Sequence, residues 1–223
     1  MSMHTMYKKL LQLPLFQGLN QADITEIIEK VKLHFQTIPA NTPIIEQEEN
    51  CTKLFFLLEG SLTKVTNSKD QVFRIEQSVS APCLLEPQSL FGLAPTYQAS
   101  YSTISECDIM TIEKSYVLSE LMNYPIFELN YLNILSRNTH SLYNLIWENK
   151  YTNELSDRFK YFIKSHVDNV DQPITLYITM EDLAFQLNDT RLNVSKMLNE
   201  LKDRNMISLK RKIIHIPSFH TLK

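Results

Sequence analysis

The sequence predicts an α+β chain. An N-terminal antiparallel β-roll of jelly-roll type with flanking helices comes first, then a long dimerisation helix, then a C-terminal winged helix-turn-helix. Three observations predict it. Short β-branched runs separated by polar turns fill residues 33–112. Residues 126–150 contain no Pro or Gly and keep a helical spacing of apolar residues. Two short amphipathic segments meet at Asn188-Asp189-Thr190 and are followed by an alternating run, Ile207–Ile216. The resulting domains are 1–122, 123–151 and 152–223.

Composition excludes several classes. The 223 residues hold three glycines, Gly18, Gly60 and Gly92. They stand too far apart for a dinucleotide-binding G-x-G-x-x-G, a P-loop or a G-x-S-x-G nucleophile elbow, all of which need glycine for close backbone approach or positive φ. Cys51, Cys83 and Cys107 form no C-x-x-C and no metal or disulfide framework, as expected in a reducing cytoplasm. Residues 1–16 lack the apolar stretch of a signal peptide, and the uncharged run Pro87–Ser105 is too polar to span a membrane. Glu46, Glu48 and Glu49 read as a solvated turn, and no catalytic constellation is present, so no enzyme is predicted.

Taken in order, residues 5–32 read as short helices, with a turn at Gly18 and Asn20 capping a segment whose Ile24, Ile27, Ile28 and Val31 share a face. Strands are expected at Lys53–Thr66, Gln71–Gln77 and Tyr101–Ile112, with a hairpin turn at Asn67–Asp70. Glu113–Met122 reads as a helix, and Pro125 starts the long one. On that helix Leu132, Leu135, Thr139, Leu142 and Ile146 form a narrow stripe between asparagines, easier to bury against one partner helix than inside a core. Thr152 or Asn153 caps the next helix, with Leu155, Phe159, Phe162 and Ile163 inward.

Charge changes sign along the chain. Residues 1–151 carry 11 basic and 16 acidic residues, whereas 152–223 carry 11 and 9. Within 191–212 the balance is seven against two. A basic block in an acidic protein points to a local polyanion contact. It falls on the two-helix motif. Thr179 caps the first helix, with Asp182 completing the box, and Leu183, Ala184 and Leu187 face inward. Asn188 suits a left-handed turn position, as does Asn205 at the far end. Thr190 caps a second helix that buries Val194, Met197, Leu198 and Leu201. Its outward residues Arg191, Leu192, Asn193, Ser195, Lys196 and Asn199 are placed to reach base edges, and Lys210, Arg211 and Lys212 form the tip of a wing that contacts phosphate. Thr179 and Thr190 complete the predicted DNA-binding set.

Ala184, Asn188, Arg191-Leu192-Asn193-Val194-Ser195-Lys196 and Leu201, with the order of roll, long helix and winged motif, resemble the Crp/Fnr family of bacterial transcription regulators over nearly the whole chain. The resemblance implies a homodimer on double-stranded DNA with a pseudo-palindromic operator, and contact with RNA polymerase. Leu192 replaces a common Glu and Lys196 a common Arg. A leucine accepts no hydrogen bond from cytosine, so a different half-site is expected. Leu90, Phe91, Gly92, Leu93 and Ala94, with Tyr101, Ser102 and Thr103, resemble the family's phosphate-binding cassette. Leu93 stands where cyclic-nucleotide binders place a Glu, and no arginine lies in 87–105, which argues against cyclic AMP. No cysteine precedes Cys51, against an N-terminal iron–sulfur cluster. No cofactor is predicted. A haem held by His34, Cys51, Cys83 or His140, a small-ligand sensor of the same family, or a ligand or interaction module that does not bind DNA are the alternatives.

Overall fold

The computed structural model describes residues 3–148, 154–167 and 169–222. They fall into two compact units. The first runs to Leu62 and resumes at Val79–His140; the second joins Thr63–Ser78 to the chain from Ser141 onward.

The first unit opens with α1 (Met3–Gln12), a 3-10 turn at Pro14–Phe16, and α2 (Gln21–Lys30). Asn20 caps α2 as expected. Its side chain accepts the Asp23 N–H, and Asp23 reaches back to the Asn20 N–H. The strands up to residue 113, of which β4 and β5 lie mostly in the second unit, are β1 (His34–Ile38), β2 (Pro43–Ile45), β3 (Lys53–Glu59), β4 (Ser61–Asn67), β5 (Arg74–Ser80), β6 (Cys83–Leu85), β7 (Ser100–Thr103) and β8 (Cys107–Glu113). One sheet runs β1-β8-β3-β6, antiparallel throughout, and β2 pairs with β7. Strand β3 is apolar at successive positions because both its faces are covered, and Leu54–Leu58 are all buried. Phe56 on β3 meets Phe16 at 5.7 Å between ring centroids, and Phe16 meets Phe127 at 5.5 Å, which ties the helices to the roll.

The helix expected at 113–122 is divided into α3 (Lys114–Ser119) and a 3-10 turn at Leu121–Asn123. Pro125 then begins α4 (Pro125–Glu148). The expected end of that helix near 150, the caps Thr152 and Asn153, and the boundary at 151 lie outside the described residues.

The second unit contains α5 (Leu155–His166), β9 (Ile174–Tyr177), α6 (Met180–Gln186), α7 (Arg191–Asp203), β10 (Ser208–Lys210) and β11 (Ile213–Ile216). Strand β9 was not foreseen, since four residues are too few for a periodicity to register. The β4–β5 hairpin belongs to this unit as well. Residues 63–78 join it, and the sheet order here is β10-β11-β9-β5-β4. Arg74–Gln77 pair antiparallel with Tyr177–Ile174. Alternation explains the fit. Phe73 and Ile75 enter a core with Phe159, Phe162, Ile174 and Leu176. Arg74 and Glu76 point the other way and hold Tyr177 between them: the guanidinium lies 4.2 Å over its ring, and Glu76 accepts its hydroxyl at 2.7 Å. Gln77 adds a 2.7 Å bond to the Asn169 carbonyl. The hairpin thus covers an edge that β9 would otherwise leave unpaired.

Candidate nucleic-acid interface

Helices α6 and α7 form a helix-turn-helix whose inner face is as expected. Leu183, Ala184 and Leu187 on the first side, and Val194, Met197, Leu198 and Leu201 on the second, are all buried. Asn188 has φ 48° and Asn205 φ 58°, both in the left-handed region. These two positions carry Asn because its short polar side chain tolerates that conformation. Thr190 accepts the Asn193 N–H at 3.2 Å and starts α7. Thr179 accepts the Asp182 N–H at 3.1 Å and donates its hydroxyl to the Asp182 carboxylate at 2.5 Å. Both hydroxyls therefore serve helix starts.

The turn between the helices is pinned by residues the sequence reading missed. Arg158 on α5 donates from Nη2 to Asp189 Oδ2 and from Nη1 to the Asn188 carbonyl. Asp189 also accepts the Thr190 N–H at 2.7 Å and the Asn193 side-chain amide at 2.8 Å. One carboxylate thus joins α5, the turn and the first residues of α7. Arg158 and Asp189 lie 31 positions apart, so no local pattern could have paired them. The Asn193 bond, the Thr190 N–H and the Arg158 guanidinium hold the Asp189 carboxyl below its ordinary value, against a smaller opposing effect of burial. A depressed folded-state value means this contribution is complete above the unfolded value of about 4 and is lost as pH falls through the folded one. Thermal melts of the wild type should therefore lose stability below about pH 4, with a smaller loss for Asp189→Asn. Identical acid profiles would remove Asp189 from this role.

On the outer face of α7, Arg191, Leu192, Asn193, Lys196 and Asn199 are exposed and Ser195 is half-buried. Leu192 is 64% exposed, an apolar side chain presented to solvent on a helix otherwise polar on that side. Two of the side-chain amides have internal partners: Asn193 is bonded to Asp189, and Asn199 donates to the Ser195 carbonyl at 2.9 Å. Arg191 pairs with Glu181 on α6 at 3.2 Å, both exposed. Such a surface pair is worth about 0–1 kcal/mol and leaves the guanidinium available to a stronger anion. Glu181 was not anticipated; its place in the first turn of α6 suits the helix dipole. The wing places Lys210 at the end of β10 and Arg211 and Lys212 in the two-residue connection to β11, with Lys212 at φ 61° and all three exposed. A groove of about 400 Å³ runs between this tip and the start of the motif, lined by Thr179, Glu181, Arg191 and Lys210–Lys212 among others. Phe185 on α6 is 83% exposed and was also not foreseen.

The other predicted residues are dispersed. In the roll, Leu90 is buried and Phe91 half-buried, while Gly92, Leu93 and Ala94 lie on an exposed bend. Tyr101 and Thr103 are buried on β7 and Ser102 is half-buried. Thr103 serves the backbone of Pro39 and Thr42. His34 lies on β1, His140 is exposed on α4, Cys51 and Cys107 are buried, and Cys83 is half-buried. Burial raises the Cys83 thiol to about 12 and also raises that of Cys51. Among the described residues, no cluster of three His, Cys, Asp or Glu could hold a metal ion.

On α4, Leu132, Thr139, Leu142 and Ile146 are exposed and Leu135 is half-buried. Leu129, Tyr143 and Trp147 extend the exposed apolar stripe beyond the predicted residues. Counting Leu129, Leu132, Ser136, Thr139, Tyr143 and Ile146 gives a 3.5-residue period. No helix among the described residues is long and apolar enough to cross a membrane.

Fold and site together define a β-roll and a long helix followed in the chain by a helix-turn-helix domain. Residues 154–223 match the family model of the Crp-like helix-turn-helix domain. No curated protein matches the chain. Among solved structures, the Catabolite Activator Protein of Thermus thermophilus is 17% identical with TM-score 0.53, covering 94% of this chain and 96% of its own. The sensor domain of the transcriptional regulator DNR from Pseudomonas aeruginosa is 14% identical with TM-score 0.53, covering 68% of this chain and 97% of its own. These likenesses establish the fold, and the resemblance read from the sequence stands.

Proposed function

We propose that the chain is a cytoplasmic, sequence-specific regulator of Crp/Fnr type. It acts as a homodimer on a pseudo-palindromic operator and does not respond to cyclic AMP. The domains are an effector domain at 1–122, a dimer helix at 123–151 and a DNA-binding domain at 152–223, with RNA polymerase as a further partner. The observation that carries the reading is the common exposure of Arg191, Leu192 and Lys196 on α7 beside the basic wing tip Lys210–Lys212. This arrangement supports α7 in a major groove and the wing on phosphate. Leu192 would meet a thymine methyl and disfavour a cytosine at its position.

Gel shifts against a pool of genomic fragments test the reading. The wild type should select specific fragments, and its affinity should fall steeply as salt rises. Arg191→Ala should cost about 1–3 kcal/mol and relax selection at one base position, whereas Lys196→Ala should weaken binding with less change in selectivity. Specific complexes left intact by both substitutions would exclude this face.

The exposed stripe on α4 supports the dimer. Leu142→Glu and Ile146→Glu each place a charge in the seam, and native mass spectrometry should then find single chains where the wild type gives pairs. Pairs that survive both substitutions would require another interface.

A further inference from the structure

Glu86 is the one charged residue that is buried among the described residues, at 5% exposure. A buried carboxylate is costly unless every acceptor site is served. Here three donors converge on it. Its Oε2 accepts the Gln98 N–H at 2.7 Å and the Ser89 hydroxyl at 3.0 Å, and its Oε1 accepts the Tyr101 hydroxyl at 3.1 Å. No cation pairs with it among the described residues. The backbone of Glu86 is at φ 38°, ψ 56°, a left-handed conformation uncommon for a residue other than glycine or asparagine. Two independent features therefore meet at one residue: a left-handed backbone and a desolvated anion.

The position gives them meaning. Gln98 and Tyr101 fall within the stretch from Leu90 to Ile104 that resembles a phosphate-binding cassette, and Glu86 lies four positions before it. A backbone N–H and two hydroxyls aimed at one point form a cradle for an anion. In this chain the anion is its own. A nucleotide phosphate does not fit beside it, because the donors are already used and two negative charges would share one buried site. The same turn is attached to α4, where the Tyr131 hydroxyl donates to the Pro87 carbonyl at 2.5 Å and the Phe91 and Tyr131 rings meet at 5.6 Å.

We propose that Glu86 is a tethered anion that fills the anion cradle of the β-roll, taking the place of a free anionic ligand and fixing the turn that packs on α4. This rests on reading the stretch from Leu90 to Ile104 as the cassette, and it holds or fails independently of the DNA-binding reading. It implies that shortening residue 86 opens a site for a small carboxylate.

Glu86→Gly is the direct test, since glycine accepts the left-handed backbone without strain. Thermal melts of the full chain are followed against sodium acetate, with sodium chloride at equal ionic strength as control. Acetate should raise the melting temperature of Glu86→Gly in a saturable way, as a ligand specific to the folded state does. It should move the wild type no more than chloride does. Calorimetry should find acetate bound at least about tenfold more tightly by Glu86→Gly than by the wild type, and Tyr101→Phe in the Glu86→Gly background should weaken it again. Equal acetate effects on both proteins, or no effect of Tyr101→Phe, overturn the proposal. Should Glu86→Gly fail to fold, Glu86→Gln is measured. It keeps the shape and removes the charge, and it should melt below the wild type without responding to acetate. A Glu86→Gln protein as stable as the wild type overturns the proposal as well, as does saturable binding of cyclic AMP by the wild type.

Discussion

Phe73→Ala will lower the stability of the second unit by about 3–5 kcal/mol, the usual cost of emptying a buried phenylalanine site. Phe73 is 8% exposed, and its ring meets Phe162 at 5.2 Å and His166 at 5.0 Å, edge-on in both cases. It occupies the core formed by α5, α6, α7 and the wing sheet, although it lies more than 80 residues before them in the chain. The hairpin is held at its other face by the Arg74 and Glu76 contacts to Tyr177, so truncating Phe73 leaves a cavity under a strand that remains paired. The substitution should therefore lower the urea midpoint of this unit with little change in slope. A reduced slope would mean that the hairpin detaches as well, exposing less new surface on unfolding. Lys69→Ala at the exposed hairpin tip is the control and should stay within about 0.5 kcal/mol. A loss below about 1 kcal/mol for Phe73→Ala would show that the hairpin adds no essential core to the DNA-binding unit. The chain enters this hairpin from Leu62 and leaves it at Val79.

What the sequence made legible was local. The caps at Asn20, Thr179 and Thr190, the left-handed asparagines at 188 and 205, the inner face of α7 and the exposed stripe of α4 all rest on residues within one or two turns of each other. Their spacing carries the physics directly. The pairings that were missed are long-range. Arg158 with Asp189 and β5 with β9 join segments whose separation has no period to read. Glu86 was hidden for another reason. Residues 87–105 offer no cation to a ligand phosphate, and the residue that fills the cradle is an anion one position before them. In the cassette, Gly92 drew attention as a glycine, yet its Cβ position faces open space and the bend around it is exposed. The residue that takes the demanding backbone there is Glu86.

Gly60 is where a glycine is needed, and Gly60→Ala should be the most damaging single methyl added to the first unit. The residue joins β3 to β4 at φ 94°, and a Cβ built there would lie 2.6 Å from the Glu106 carbonyl oxygen and 2.6 Å from Cys107 Sγ. The costs are separate. A left-handed backbone for a non-glycine residue in a tight setting costs about 1–3 kcal/mol, and overpacking a well-filled site costs about 1–3 kcal/mol more. The expected loss is therefore about 2–6 kcal/mol in urea unfolding followed by a probe of the roll. The two obstructions can be told apart. Cys107→Ala removes the sulfur but leaves the Glu106 carbonyl, which is fixed because β8 begins at the next residue and the Cys107 backbone pairs with Ile38. The Gly60→Ala, Cys107→Ala double variant should therefore recover only part of what the first substitution loses, after correction for Cys107→Ala alone. Full recovery would mean that the sulfur contact alone forbids a side chain there. A neutral Gly60→Ala would mean that the β3–β4 connection relaxes and that the roll tolerates a backbone shift there.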